Sequence, residues 1–148
     1  MKETAPPLSL YETDETAWLE MMADLVAQGR FREIDREALA EYLTDMAKRD
    51  KREVKSRLKV LLAHLLKWQH QPRRRTNSWR GTIVSQRNEL KDLLDSRTLR
   101  KYANDVLAQS YTDAVEQAAA ETGLSIEKFP GACPYTLDWL LSKNLPTG

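Results

Sequence analysis

Apolar residues recur along this chain at spacings of three and four, with no useful stretch of alternation by two. Trp18, Met22, Leu25 and Val26 lie on one helical face. Thr13 precedes them as an N-cap, and Asp14 and Glu15 fall in the first turn, where the helix dipole favours acids. Gly29 follows as a residue that takes the left-handed conformation which ends helices. A first helix is therefore expected at about 14–28. Asp35 is a second N-cap, with Ile34 and Leu39 at the positions of a hydrophobic staple. A long stripe follows: Leu39, Leu43, Met46, Val54, Leu58, Leu61, Leu65 and Trp68. Leu62 and Leu66 widen its second half, which should be the most buried helix of the protein. Asp50 sits in the gap of this stripe, so either the helix bends near 48–51 or Asp50 has a polar partner. The helix must stop before Pro72.

Ser78 then caps a third helix carrying Trp79, Ile83, Leu90, Leu93 and Leu94, and Gly81 in its first turn suggests a close approach of helices. A fourth helix is expected at about 98–121, with Leu99, Val106, Ala114 and Ala118 inward and Gly123 ending it. GLSIEKFPGACPYTLDWLL reads as a wrapped tail with one short helix from Pro134, pinned by Phe129, Tyr135, Leu137 and Leu140. The expected fold is all-α. It is a four-helix bundle-like single domain over residues 13–148, with a short C-terminal helix and wrapped tail, after a flexible N-terminal tail at 1–12.

Composition supports this picture. A chain of 148 residues suits one domain, and only 5 glycines disfavour a turn-rich β fold. Cys133 is the single cysteine, so no intrachain disulfide forms and a reducing compartment fits. The start has no apolar leader core, and no apolar run is long enough to span a membrane. A cytoplasmic protein with no membrane contact is expected.

Charge changes the picture more. The net charge of +1 conceals net −6 over residues 1–50, net +10 over 51–110 and net −3 over 111–148. Residues 54–88 hold nine bases and no acid. Such separation marks an anion-binding surface, or else acidic and basic elements that answer each other inside one fold.

Catalytic and metal chemistry finds little purchase. His64 and His70 are six apart, which on one helix turns them about 120° from each other. No paired Cys or His spacing of a zinc site occurs, so no metal and no cofactor are expected. His64 reads as a core residue hydrogen-bonded beside Leu61 and Trp68. Cys133 lacks a neighbouring base and reads as an inert thiol. Glu41 and Asp45 project together. They would serve a hydrolase with His64 only if the second helix bends, since along a straight helix Asp45 and His64 lie about 28 Å apart. The other reading of the two acids is a solvated face salt-bridged to Lys48 and Arg49.

The densest cluster of chemistry is HLLKWQHQPRRRTNSW at 64–79. Lys67, Arg73, Arg74, Arg75, Arg80 and Arg87 are candidates for binding an anion or nucleic acid, because guanidinium forks suit phosphate, with Trp68 and Trp79 offering stacking planes. Equally physical is a crowded turn. Basic residues then complement a helix C-terminus, tryptophans pack across the junction, and Gln69, Gln71 and Asn77 satisfy loose backbone groups.

LLAHLLKWQHQP, RTNSWRGTIVSQR and ETGL…FPGACPYTL resemble a bacterial family known as domain of unknown function 29, over nearly the whole chain from YETDETAWLE to NLP. The resemblance implies a small, all-helical, cytoplasmic protein and supplies no activity. It marks His64, Lys67, Trp68, Gln69, Gln71, Pro72, Ser78, Trp79, Thr82, Gln86 and Arg87 as the family's signature. The family tends toward E-E-I-E-D-M-G where this chain reads E-Y-L-T-D-M-A at 41–47. Glu41 and Asp45 match, but Tyr42 and Thr44 replace acids, which thins any carboxylate cluster.

Two non-enzymatic functions are thus expected, neither excluding the other. The leading one is a protein-interaction or homo-oligomerising module built on an amphipathic face and the acidic N-terminal half. The alternative is a nucleic-acid or other anion-binding module built on the basic 54–88 segment. A hydrolase around Glu41, Asp45 and His64 stands third.

Overall fold

The computed structural model describes residues 9–147. Its elements are α1 (Leu10–Thr13), α2 (Glu15–Ala27), α3 (Arg36–His70), α4 (Asn77–Leu93), α5 (Arg97–Thr122) and α6 (Leu137–Leu140), with short 3₁₀ turns at Phe31–Glu33, Pro72–Arg74 and Ile126–Lys128. The fold is all-helical, with no strand among the described residues. No helix among them is long and apolar enough to cross a membrane.

Local chemistry explains the helix ends. Asp35 accepts from the Ala38 amide at 3.1 Å and so caps α3. Gly29 and Gly123 adopt positive φ, 69° and 76°, just past α2 and α5. Two expected caps move. The first long helix is capped by Asp14, which accepts from the Ala17 amide, and Thr13 instead ends α1. Thr76 rather than Ser78 caps α4, accepting from the Trp79 amide at 3.1 Å, so Ser78 lies in the first turn. Leu10–Thr13 is helical within the stretch expected as a flexible tail. Ser9 caps this helix, and residues 1–8 of that tail lie outside the described residues. The last helix begins at Leu137 behind a Thr136 cap, later than the expected Pro134.

α3 runs unbroken through Asp50 as one helix of 35 residues. Its interior holds no glycine or proline, and the apolar gap at 47–51 is filled by alanine, lysine and arginine around Asp50, mostly strong helix formers. Propensity carries the helix where the apolar stripe lapses.

The chain divides into two compact units, one ending at Ala47 and one beginning at Lys48. In the first, Trp18, Met22 and Leu25 form a small core. Tyr11, Ile34, Leu39 and Tyr42 pack against it, and Trp18 meets Tyr11 and Tyr42 at ring-centroid distances of 4.5 and 6.0 Å. In the second, Val54, Leu58, Leu61, Leu62, Leu65 and Leu66 are buried against Ile83, Leu90, Ala103, Ala114 and Ala118. Phe129, Leu137 and Leu140 of the wrapped tail close this core.

Two apolar positions depart from expectation. Val26 is 47% exposed and Leu43 is 59% exposed, though both keep the predicted period. Gly81 also departs: a Cβ added there would meet nothing within 4 Å, so no close helix approach exists. With the position open and helical, Gly81→Ala should raise unfolding free energy by about 0.5–1 kcal/mol. Urea denaturation checks this, and an unchanged or lowered midpoint would refute it.

Candidate functional site

The signature residues gather in the second unit, where they join α3, α4, α5 and the tail. Lys67, only 7% exposed, reaches 54 residues along the chain to place its ammonium 2.7 Å from Glu121 and 5.1 Å from the Trp79 ring centroid. Lys67 and then Gln117, both hydrogen-bonded to Glu121, hold its carboxyl below the usual range. Arg75 Nε donates to the Trp68 carbonyl at 2.8 Å, in the last turn of α3, and its guanidinium lies 4.9 Å from the Trp68 ring centroid. This meets an acceptor that a helix end leaves open. Gln69 accepts from the Tyr135 hydroxyl at 3.0 Å and donates to the Thr147 carbonyl. Gln86 accepts from Arg57 at 3.2 Å.

Arg87 is 5% exposed. Its Nε donates to the Leu140 carbonyl at 2.7 Å, and its guanidinium lies 5.4 Å from the Trp139 ring centroid, with Trp139 stacked on Tyr135. The turn between α3 and α4 is formed by Gln71 and Pro72: the Gln71 amide donates to the Lys67 carbonyl at 2.9 Å, and Pro72 opens the 3₁₀ turn. Ser78 is exposed and Thr82 half-buried.

The two histidines are set apart from each other. His64 Nδ1 donates to the Val60 carbonyl at 2.9 Å, one turn back on its own helix. Burial is the main cause that lowers its pKa. His70 packs edge-on to Phe129 at 5.0 Å, and burial lowers its pKa too. Cys133 Sγ lies 3.4 Å from the Tyr135 carbonyl, and burial pushes this thiol up, away from a reactive thiolate. Among the described residues no three of His, Cys, Asp and Glu gather as a metal would require. Glu41 and Asp45 are exposed, on the part of α3 that belongs to the first unit, whereas His64 lies on the part that belongs to the second.

Of the six cation candidates, Lys67, Arg75 and Arg87 are thus engaged with internal groups, whereas Arg73, Arg74 and Arg80 are exposed. Arg80 and Arg87 line a cavity of about 250 Å³ with Lys91 and Lys143, two cations that the sequence reading missed. Lys143 comes from the tail, far from the basic run, and no local pattern announces it.

The first unit carries a different surface. Between α2 and the start of α3 lies a groove of about 420 Å³, lined by Leu19, Met22, Val26, Leu39, Tyr42 and Leu43 among others. No charged side chain lines it. In this unit, described residues 9–47 hold ten acids and three bases. The periodicity of Val26 and Leu43 was the available signal for this groove. Periodicity shows that a face is apolar and not whether anything covers it, so it does not tell such a groove from core.

No curated protein and no solved structure gives a significant match to the chain. One family model does match, described as Domain of unknown function DUF29, and it spans residues 10–145. With that span covering nearly all of the chain, the protein belongs to the DUF29 family.

Proposed function

We propose that the protein is a non-enzymatic docking module whose acidic first unit takes a basic amphipathic helix of a partner protein in the groove between α2 and α3. The observation that carries this reading is an uncharged apolar groove, with Val26 and Leu43 open to water, on a unit of strongly negative charge. Helix-in-groove recognition needs an apolar trough for anchors at i, i+3, i+4 and i+7 and a charged rim to set the register. Met22 adds an adaptable wall. The net negative charge of the unit disfavours a second copy of the same unit and favours a cationic helix. The engagement of Lys67, Arg75 and Arg87 with internal partners argues in the same direction, since it leaves the basic segment fewer free charges for nucleic acid.

The test uses a fluorescent Leu/Lys peptide about five turns long with its leucines on one helical face. Anisotropy should report saturable binding. A control with the same residues in non-amphipathic order should bind far more weakly. Leu43→Glu, at an exposed position, should weaken binding by at least about tenfold with the fold intact by circular dichroism. Equal binding of both peptides, or no effect of Leu43→Glu, would refute the reading.

A further inference from the structure

Two cations are buried among the described residues, Lys67 and Arg87. Lys67 has Glu121 at 2.7 Å. Arg87 has a backbone carbonyl and an aromatic face but no carboxylate, and its buried Nη2 has no hydrogen-bond partner. A buried guanidinium without a counter-ion is costly, and an orphaned donor adds to that cost. Burial lowers the Arg87 pKa, yet a guanidinium stays protonated at neutral pH.

Arg87 forms part of the wall of the 250 Å³ cavity between α4 and the tail. Arg80, Lys91 and Lys143 line it too, with no acid. Ile83, Val84 and Leu145 form an apolar side. Arg80, Val84 and Asn88 also line a shallow groove along α4, so the cavity and this track share a wall, and Glu89 lines the track as well.

The geometry points to this cavity as a binding site for a carboxylate that carries a short apolar body. The anion sits among Arg80, Arg87, Lys91 and Lys143, and the apolar body lies on Ile83, Val84 and Leu145. A free short-chain acid and the C-terminal residue of a peptide share this chemistry; in the second case the preceding residues would follow the α4 track. The site lies in the second unit and stands independently of the groove in the first.

The experiment follows the Arg87 Nε–Hε resonance of the ¹⁵N-labelled full chain during titration with hexanoate, inorganic phosphate and 1-hexanol. Hexanoate should shift it saturably, phosphate more weakly, and hexanol not at all. Arg87 also holds the tail, so the variant is Lys143→Glu, at an exposed rim position. It should weaken hexanoate by at least about tenfold with the spectrum otherwise preserved. A short peptide with a free C-terminal leucine, compared with hexanoate, identifies the source by which binds more tightly. An unmoved Arg87 signal, equal affinity for phosphate and hexanoate, or an indifferent Lys143→Glu variant would each overturn the proposal.

Discussion

Leu62→Ala is expected to destabilise the second unit by about 3 kcal/mol, the largest effect of any single change considered. Leu62 is fully buried in the leucine-rich half of α3, whose apolar face is wide enough to meet several elements at once. Cutting its isobutyl group back to a methyl loses the transfer free energy of three carbons. It also leaves a cavity that α3, held by Leu58, Leu61, Leu65 and Leu66 on neighbouring turns, cannot collapse to fill. The melting temperature should fall by about 10 °C. Leu43→Ala, on the same helix, should cost no more than about 0.5 kcal/mol because its side chain is already in water. Similar losses for the two variants by calorimetry would contradict this assignment of core and surface.

The second large effect concerns the pair that ties α3 to α5. Glu121→Gln should cost about 2 kcal/mol at neutral pH. A fully buried pair broken on one side loses about 3–5 kcal/mol. Here the Glu121 side chain is 40% exposed, so water recovers part of the loss. Lys67→Met should cost less than Glu121→Gln. It removes the buried charge itself, keeps most of the chain volume against Trp79, and leaves behind only a half-wet carboxylate.

The pair also carries a pH signature. The Glu121 carboxyl is held below its ordinary 4.5, so its stabilisation is complete above that value and is lost as pH falls through it towards the folded pKa. Wild-type stability should therefore drop across this acid window by more than that of Glu121→Gln. Parallel profiles for the two proteins in urea titrations would show that the pair contributes nothing.

These residues also show what could be read without coordinates. Asp35, Gly29 and Gly123 mark helix ends by their own chemistry, and the leucine stripe at 58–66 declares a buried helix. Caps were missed by a residue or two where alternatives crowd together, as with Thr13 beside Asp14 and Thr76 beside Ser78. The charge run at 54–88 was legible as a run but not in its use. The partner of Lys67 lies in α5, and Arg87 turns to the Leu140 carbonyl in the tail, contacts between segments more than fifty residues apart. The candidate sites were harder still. Val26 and Leu43 look like core by period, and Lys143 joins Arg80 and Lys91 only through the return of the tail.

The measurement that bears most directly on the proposed function is a map of amide shifts when the basic amphipathic peptide is added to the ¹⁵N-labelled full chain. Shifts concentrated in residues 19–43, abolished by Leu43→Glu, are the predicted result. Shifts concentrated in residues 73–91, or none at saturating peptide, would contradict a docking function in the acidic unit.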